Sequence, residues 1–157
     1  MSPARRTRSA EELDQEWSEL VEELRLALPG AEVLFGFLLV LPFQESFAQI
    51  TAIQRGIYFA ALLATAVASV LLISPSVNHR LRWREGEKES LLRSGTRMSI
   101  AATVCIAFAM VAAIALITDL LFGSSVSAIV TAGVGAVFAW FWYGLPFWIR
   151  FTDPKRR

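Results

Sequence analysis

Four charged residues stand inside, or at the edges of, stretches that are otherwise apolar: Glu32, Glu45, Arg55 and Asp119. In water none of them would need a purpose. In hydrocarbon an ionised side chain costs several kcal/mol and asks for a partner or a function. Glu45 has polar neighbours in Gln44, Ser46 and Gln49. Arg55 follows across a short turn, and Asp119 lies near the end of a later apolar block. A Glu45–Arg55–Asp119 cluster is therefore expected at one side of the membrane. Two roles fit it. As an outer clamp it would tie two helical hairpins together, each charge reaching water. As an intramembrane carboxylate site it would take up a cation or a proton. Glu32, which follows Pro29-Gly30, is a second candidate and reads as a first-turn acid that favours a helix N-terminus. On a straight helix Glu32 and Glu45 would be about 20 Å apart, against a hydrocarbon core about 30 Å thick. At least one is then drawn into the membrane edge, or the bilayer thins, or the helix is irregular. Pro42, between them, supplies irregularity by removing a helix hydrogen bond.

Other chemistry has little to stand on. His79 has no second His or Cys nearby in sequence. Cys105 is the single cysteine, so it offers no intrachain disulfide and no metal cluster, and it reads as a small packing residue. Phosphate-binding glycine loops, zinc-protease helices and Ser–His–Asp groupings are not recognisable. No catalytic residue, metal or cofactor is expected.

The elements that must position these residues are apolar blocks at about 33–47, 57–73, 100–122 and 126–149. A helix needs about 20 residues to cross the hydrocarbon layer, and the blocks lack the alternation of a barrel strand. Of the 157 residues, 55% are hydrophobic, and they come in blocks rather than at amphipathic spacing. The expected fold is all-α: an integral membrane four-helix bundle with an amphipathic N-terminal cytoplasmic helix. Its parts are an acidic helix over 1–28, a bundle over 29–150 and a basic tail over 151–157. The spans run at about 31–48, 52–74, 97–122 and 126–149, with a basic loop over 75–96. The opening MSPARRTR is basic but is followed by an acidic segment, so the first span is expected to direct insertion.

Charge sets the orientation. Every basic residue except Arg55 falls in the N-terminal segment, the loop between spans two and three, or the C-terminus. Both termini and that loop are therefore expected in the cytoplasm, at the cell membrane. Thr51 and Gln54 form a capping box, which starts the second helix at Ala52 and leaves a first outer turn of about 48–51. Gly123, Ser124 and Ser125 make the other outer turn, with a serine as N-cap. Pro75 is expected to stop span two or to begin a short interfacial helix over 75–83. Glu85-Gly86 reads as a break, and span three is expected to start near Glu87. Trp140, Trp142, Tyr143, Phe147 and Trp148 suit an interfacial belt at the inner end of span four.

Small residues recur at four-residue spacing in span two (Ala60, Ala64, Ala68), span three (Ala101, Cys105, Ala109, Ala113) and span four (Ala128, Ala132, Ala136). Such stripes let helices approach closely, within one chain or between copies. Leu13, Trp17, Leu20, Leu24 and Ala27 form a short heptad seam, begun by a Ser9–Glu12 capping box. Its other faces carry Glu11, Glu12, Asp14, Glu16, Glu19, Glu22 and Glu23. An anionic leaflet repels such a helix. It is expected to lie near the basic 75–97 segment or to pair with a second copy. The expected partners are thus the bilayer itself, with anionic headgroups at Arg80, Arg82 and Arg84, and a homo-oligomer through the stripes or the heptad. The basic loop is explained by orientation, so no nucleic acid is expected.

The segments ELRLALPGAEVLFGFLLVLPF, QRGIYFAALLATA, LLISPSVNHR and AWFWYGLPF together resemble an uncharacterised family of small bacterial four-span membrane proteins. Some members are labelled sodium/proton antiporters, which implies a transport class but carries no catalytic residues onto this chain. The reading from residues alone is a non-enzymatic accessory or scaffold. Its alternative is a proton-coupled cation transporter acting as an oligomer.

Overall fold

The computed structural model describes residues 10–82 and 88–145. Expectations placed on Ser9, Arg84, Glu85-Gly86, Glu87, Phe147, Trp148 and the 151–157 tail lie outside these residues. Those placed on the side chains of Ser46, His79, Arg80, Arg82 and Tyr143 do so too.

Four α-helices follow one another: α1 (Ala10–Val40), α2 (Ala52–Arg82), α3 (Lys88–Phe122) and α4 (Ser124–Ala139). Two short 3-10 turns, Leu41–Phe43 and Glu45–Gln49, separate α1 from α2, and a π-helical turn, Trp140–Gly144, continues α4. Each α-helix carries a segment long and apolar enough to cross a membrane. This is an all-α membrane architecture. The helices α1 and α2 have 31 residues each and α3 has 35. At a rise of about 1.5 Å per residue these three exceed a 30 Å hydrocarbon layer.

Two sequence breakers do not break. Pro29 was expected to separate a cytoplasmic helix from span one, but it lies inside α1. The reason is visible in the seam. Leu20, Leu24 and Ala31 are buried and Ala27 is half-buried, so the apolar line continues past Pro29, which sits on an exposed face. Packing along that line outweighs one missing backbone bond. Likewise Pro75 neither ends α2 nor starts a new helix, because α2 runs on to Arg82. Pro75 is fully buried and helps fill the interior.

The chain forms two compact units. The first comprises the described parts of Met1–Phe37 and Ala64–Ile106. Its core is Leu20, Leu24 and Ala31 of α1, Leu72 of α2, and Leu92 and Ala102 of α3, with Leu13, Trp17 and Ala27 packed against it. The N-terminal heptad seam is thus covered within the chain. Gly95 permits this packing. A Cβ there would lie 2.8 Å from Leu20 Cδ2, 3.4 Å from Trp17 and 3.7 Å from Pro75.

The second unit comprises Leu38–Leu63 and the described part of Ala107–Arg157. Leu38, Tyr58, Ala61, Ala109, Ala112, Ala113 and Leu116 are buried in it. Ser127 of α4 donates to the Ala115 carbonyl at 2.8 Å, with the Thr118 hydroxyl 3.1 Å away. The α3–α4 turn differs from expectation. Gly123, at φ +83°, occupies the N-cap and no serine side chain caps α4. That backbone conformation belongs to glycine, so the turn closes on one residue.

The small-residue stripes divide. In α2 the buried line is Ala61, Thr65 and Ala68, with Ala60 and Ala64 half-buried beside it. In α3 Ala109 and Ala113 are buried, while Ala101 and Cys105 are half-buried. In α4 Ala128, Ala132 and Ala136 are exposed, so this stripe does not pack within the chain.

Candidate functional site

The polar corner is built from α2's first turn and α3's last. The Thr51 backbone N–H donates to Gln54 Oε1 at 2.8 Å, and the Gln54 N–H donates to Thr51 Oγ1 at 3.3 Å. This is the reciprocal capping box expected from sequence, and α2 begins at Ala52 as expected. Using the amide oxygen as the box acceptor leaves the amide nitrogen free to donate outward. Gln54 Nε2 does so, reaching Asp119 Oδ2 at 2.6 Å.

Asp119 sits near the C-terminus of α3, where the helix dipole disfavours a negative charge. The charge-assisted bond from Gln54, itself in the positive first turn of α2, offsets that cost. The backbone completes the corner: the Gly123 N–H donates to the Asp119 carbonyl at 3.0 Å.

Glu45 and Arg55 do not join this corner. Both are exposed, and among the described residues no ion pair links Glu45, Arg55 and Asp119. The expected three-charge cluster is replaced by an Asp119–Gln54–Thr51 chain. Glu45 opens the second 3-10 turn, beyond the end of α1. Sequence reasoning treated Gln54 only as a cap. The signal for its second role was the spare amide N–H₂ of a capping glutamine, which needs an acceptor when half-buried.

Tyr58 was also missed. Its hydroxyl donates to the Leu38 carbonyl at 3.1 Å, and its ring meets Phe47 edge-on, with centroids 4.9 Å apart. The expected irregularity at Pro42 is present, since α1 gives way to 3-10 turns there.

Glu32 is not a first-turn acid. It lies well inside α1 on an exposed face, beside the fully buried Ala31. Within the first unit, Glu16, Glu19 and Glu23 of α1 face Arg93, Thr96 and Arg97 of α3 across an open groove of about 540 Å³, floored by Leu20 and Leu92. The acidic helix therefore lies near the basic segment, one of its two expected placements. Arg93 also pairs with Glu89 at 2.6 Å. Among the described residues, no three His, Cys, Asp or Glu side chains converge where a metal ion could be held.

Residues 6–146 match a family of unknown function, DUF6328. The chain belongs to this family. No curated protein and no solved structure matches it. Membership spans all four helices, so the capping corner, Glu32 and the charged groove all fall within the matched region.

Proposed function

We propose that this multi-pass membrane protein is a non-enzymatic scaffold, with both termini in the cytoplasm of a bacterial cell and the capping corner on the outer side. The observation that supports the scaffold reading is the Asp119–Gln54–Thr51 chain. It ties a candidate carboxylate into a helix cap. A carboxylate held by a capping amide is suited to joining α2 and α3, not to loading and releasing an ion. The positive-inside distribution of Arg and Lys supports the orientation. A second reading, a proton-coupled cation transporter, is supported by Glu32, a charge-bearing side chain within an apolar helix segment.

Liposomes with an internal pH dye and an imposed Na⁺ or K⁺ gradient separate the two. The scaffold reading expects no cation-dependent proton movement from correctly inserted protein. Movement that Glu32→Gln, Glu45→Gln or Asp119→Asn abolishes would replace it with the transporter reading.

A further inference from the structure

We propose that the exposed face of α1 around Glu32 is a contact surface for a second copy of this chain, with the two Glu32 carboxyl groups meeting inside the membrane. This deepens the scaffold reading by naming the partner.

Depth is the first observation. The helix α1 is continuous to Val40. Glu32 therefore lies about 12 Å along the axis below Val40. Residues 26–31 and 33–44 on either side carry no charge, and the next charge inward is Arg25. That arginine is about 10 Å farther along the helix. A glutamate side chain is too short to reach water across such a margin in a layer about 30 Å thick.

Direction is the second. Glu32 points away from its own chain, on a face shared with exposed Pro29, Gly36 and Leu39. On that face Leu39 is 46% exposed, and beside it Val33 is 59% exposed, so this chain does not cover the face. Lipid tails would leave the carboxyl group without a hydrogen-bond partner, which is costly.

The third is what could satisfy it. Two facing carboxyl groups can share one proton in a hydrogen bond between them, so the group can be complemented by its own copy. Two copies inserted in the same direction put the same residue at the same depth, and a two-fold axis along the membrane normal brings like to like. No other partner is needed to supply a polar group at that level. Gly36, one turn from Glu32, adds the room. A Cβ there would meet nothing within 4 Å of its own chain, so its small size is not required by internal packing. Glycine on a membrane-helix face lets a neighbouring backbone approach closely.

The test uses the full chain in phosphatidylcholine/phosphatidylglycerol vesicles, with subunits counted by photobleaching over a lipid-dilution series. Wild type is expected to dimerise. Glu32→Gln, whose amide is also self-complementary, should retain the dimer. Glu32→Ala and Gly36→Leu should each weaken it by about tenfold, the scale of one interhelical hydrogen bond or one close contact. Both positions are exposed, and circular dichroism checks that the monomer fold is kept. In a Cys105→Ser background, Val33→Cys should cross-link two copies. Monomers at every dilution would overturn the proposal, as would a dimer that Glu32→Ala and Gly36→Leu leave unchanged. Proton flux in the preceding assay would remove the scaffold reading while leaving the interface to be judged on subunit counts.

Discussion

The Tyr58 hydroxyl occupies the Leu38 carbonyl, at 3.1 Å, that Pro42 deprives of its helical donor. In a regular α-helix the Leu38 carbonyl would accept from the backbone N–H four residues on, and proline has none. In a membrane such a carbonyl has no water to turn to. Tyr58, from α2, fills the gap, and the α1 end can unwind into 3-10 turns without leaving that group unpaired.

Tyr58→Phe keeps the ring and its edge contact with Phe47 but removes the donor. It should lower stability by about 1 kcal/mol. Pairing it with Pro42→Ala, which restores a backbone N–H, should recover part of the loss. Unfolding in mixed micelles measures both. A Tyr58→Phe protein as stable as wild type in both backgrounds would show that the bond contributes nothing.

The Gln54–Asp119 bond should be worth more than the formal charge on Asp119. Asp119→Asn keeps an acceptor for Gln54 and relieves an unfavourable charge in the last turns of α3. Its cost should stay below about 1 kcal/mol. Asp119→Ala orphans a half-buried amide and should cost about 1–3 kcal/mol. A double-mutant cycle with Gln54→Ala should give a coupling of about 1 kcal/mol. Strict additivity would mean that the corner does not act as a unit.

Gly95 is the close-contact point of the first unit. An alanine Cβ would press on Leu20 Cδ2, the mobile end of a flexible side chain. The gain in helix propensity, up to about 1 kcal/mol, opposes that strain. Gly95→Ala should therefore be nearly neutral. Gly95→Leu must displace Trp17 and Pro75 as well, and should cost about 1–3 kcal/mol. Leu20→Ala in the Gly95→Leu background should recover part of it. If Gly95→Leu unfolds no more readily than wild type, the packing of α1 on α3 is looser than described.

Some of this was readable from short range. The Thr51–Gln54 box, the start of α2 and the apolar blocks depend on neighbours three or four residues apart, where sequence spacing is spatial spacing. The three-charge cluster was misjudged because complementary charge was weighed without direction. The half-buried Asp119 took the nearest directed donor, Gln54, while Glu45 and Arg55 stayed exposed to solvent.

By itself the sequence determined that this is a helical membrane protein with four apolar spans and an acidic N-terminal helix, because length, hydropathy and charge act residue by residue. Tertiary packing decided what Pro29 and Pro75 do: a buried line on the opposite side of α1 outweighs the hydrogen bond missing at exposed Pro29, and Pro75 is itself buried in the packing of α2. It also decided that the heptad seam turns inward onto Leu72 and Leu92, and that Glu32 and the α4 alanines turn outward. Helical periodicity specifies which residues share a face. Only the neighbouring helices determine which face is covered.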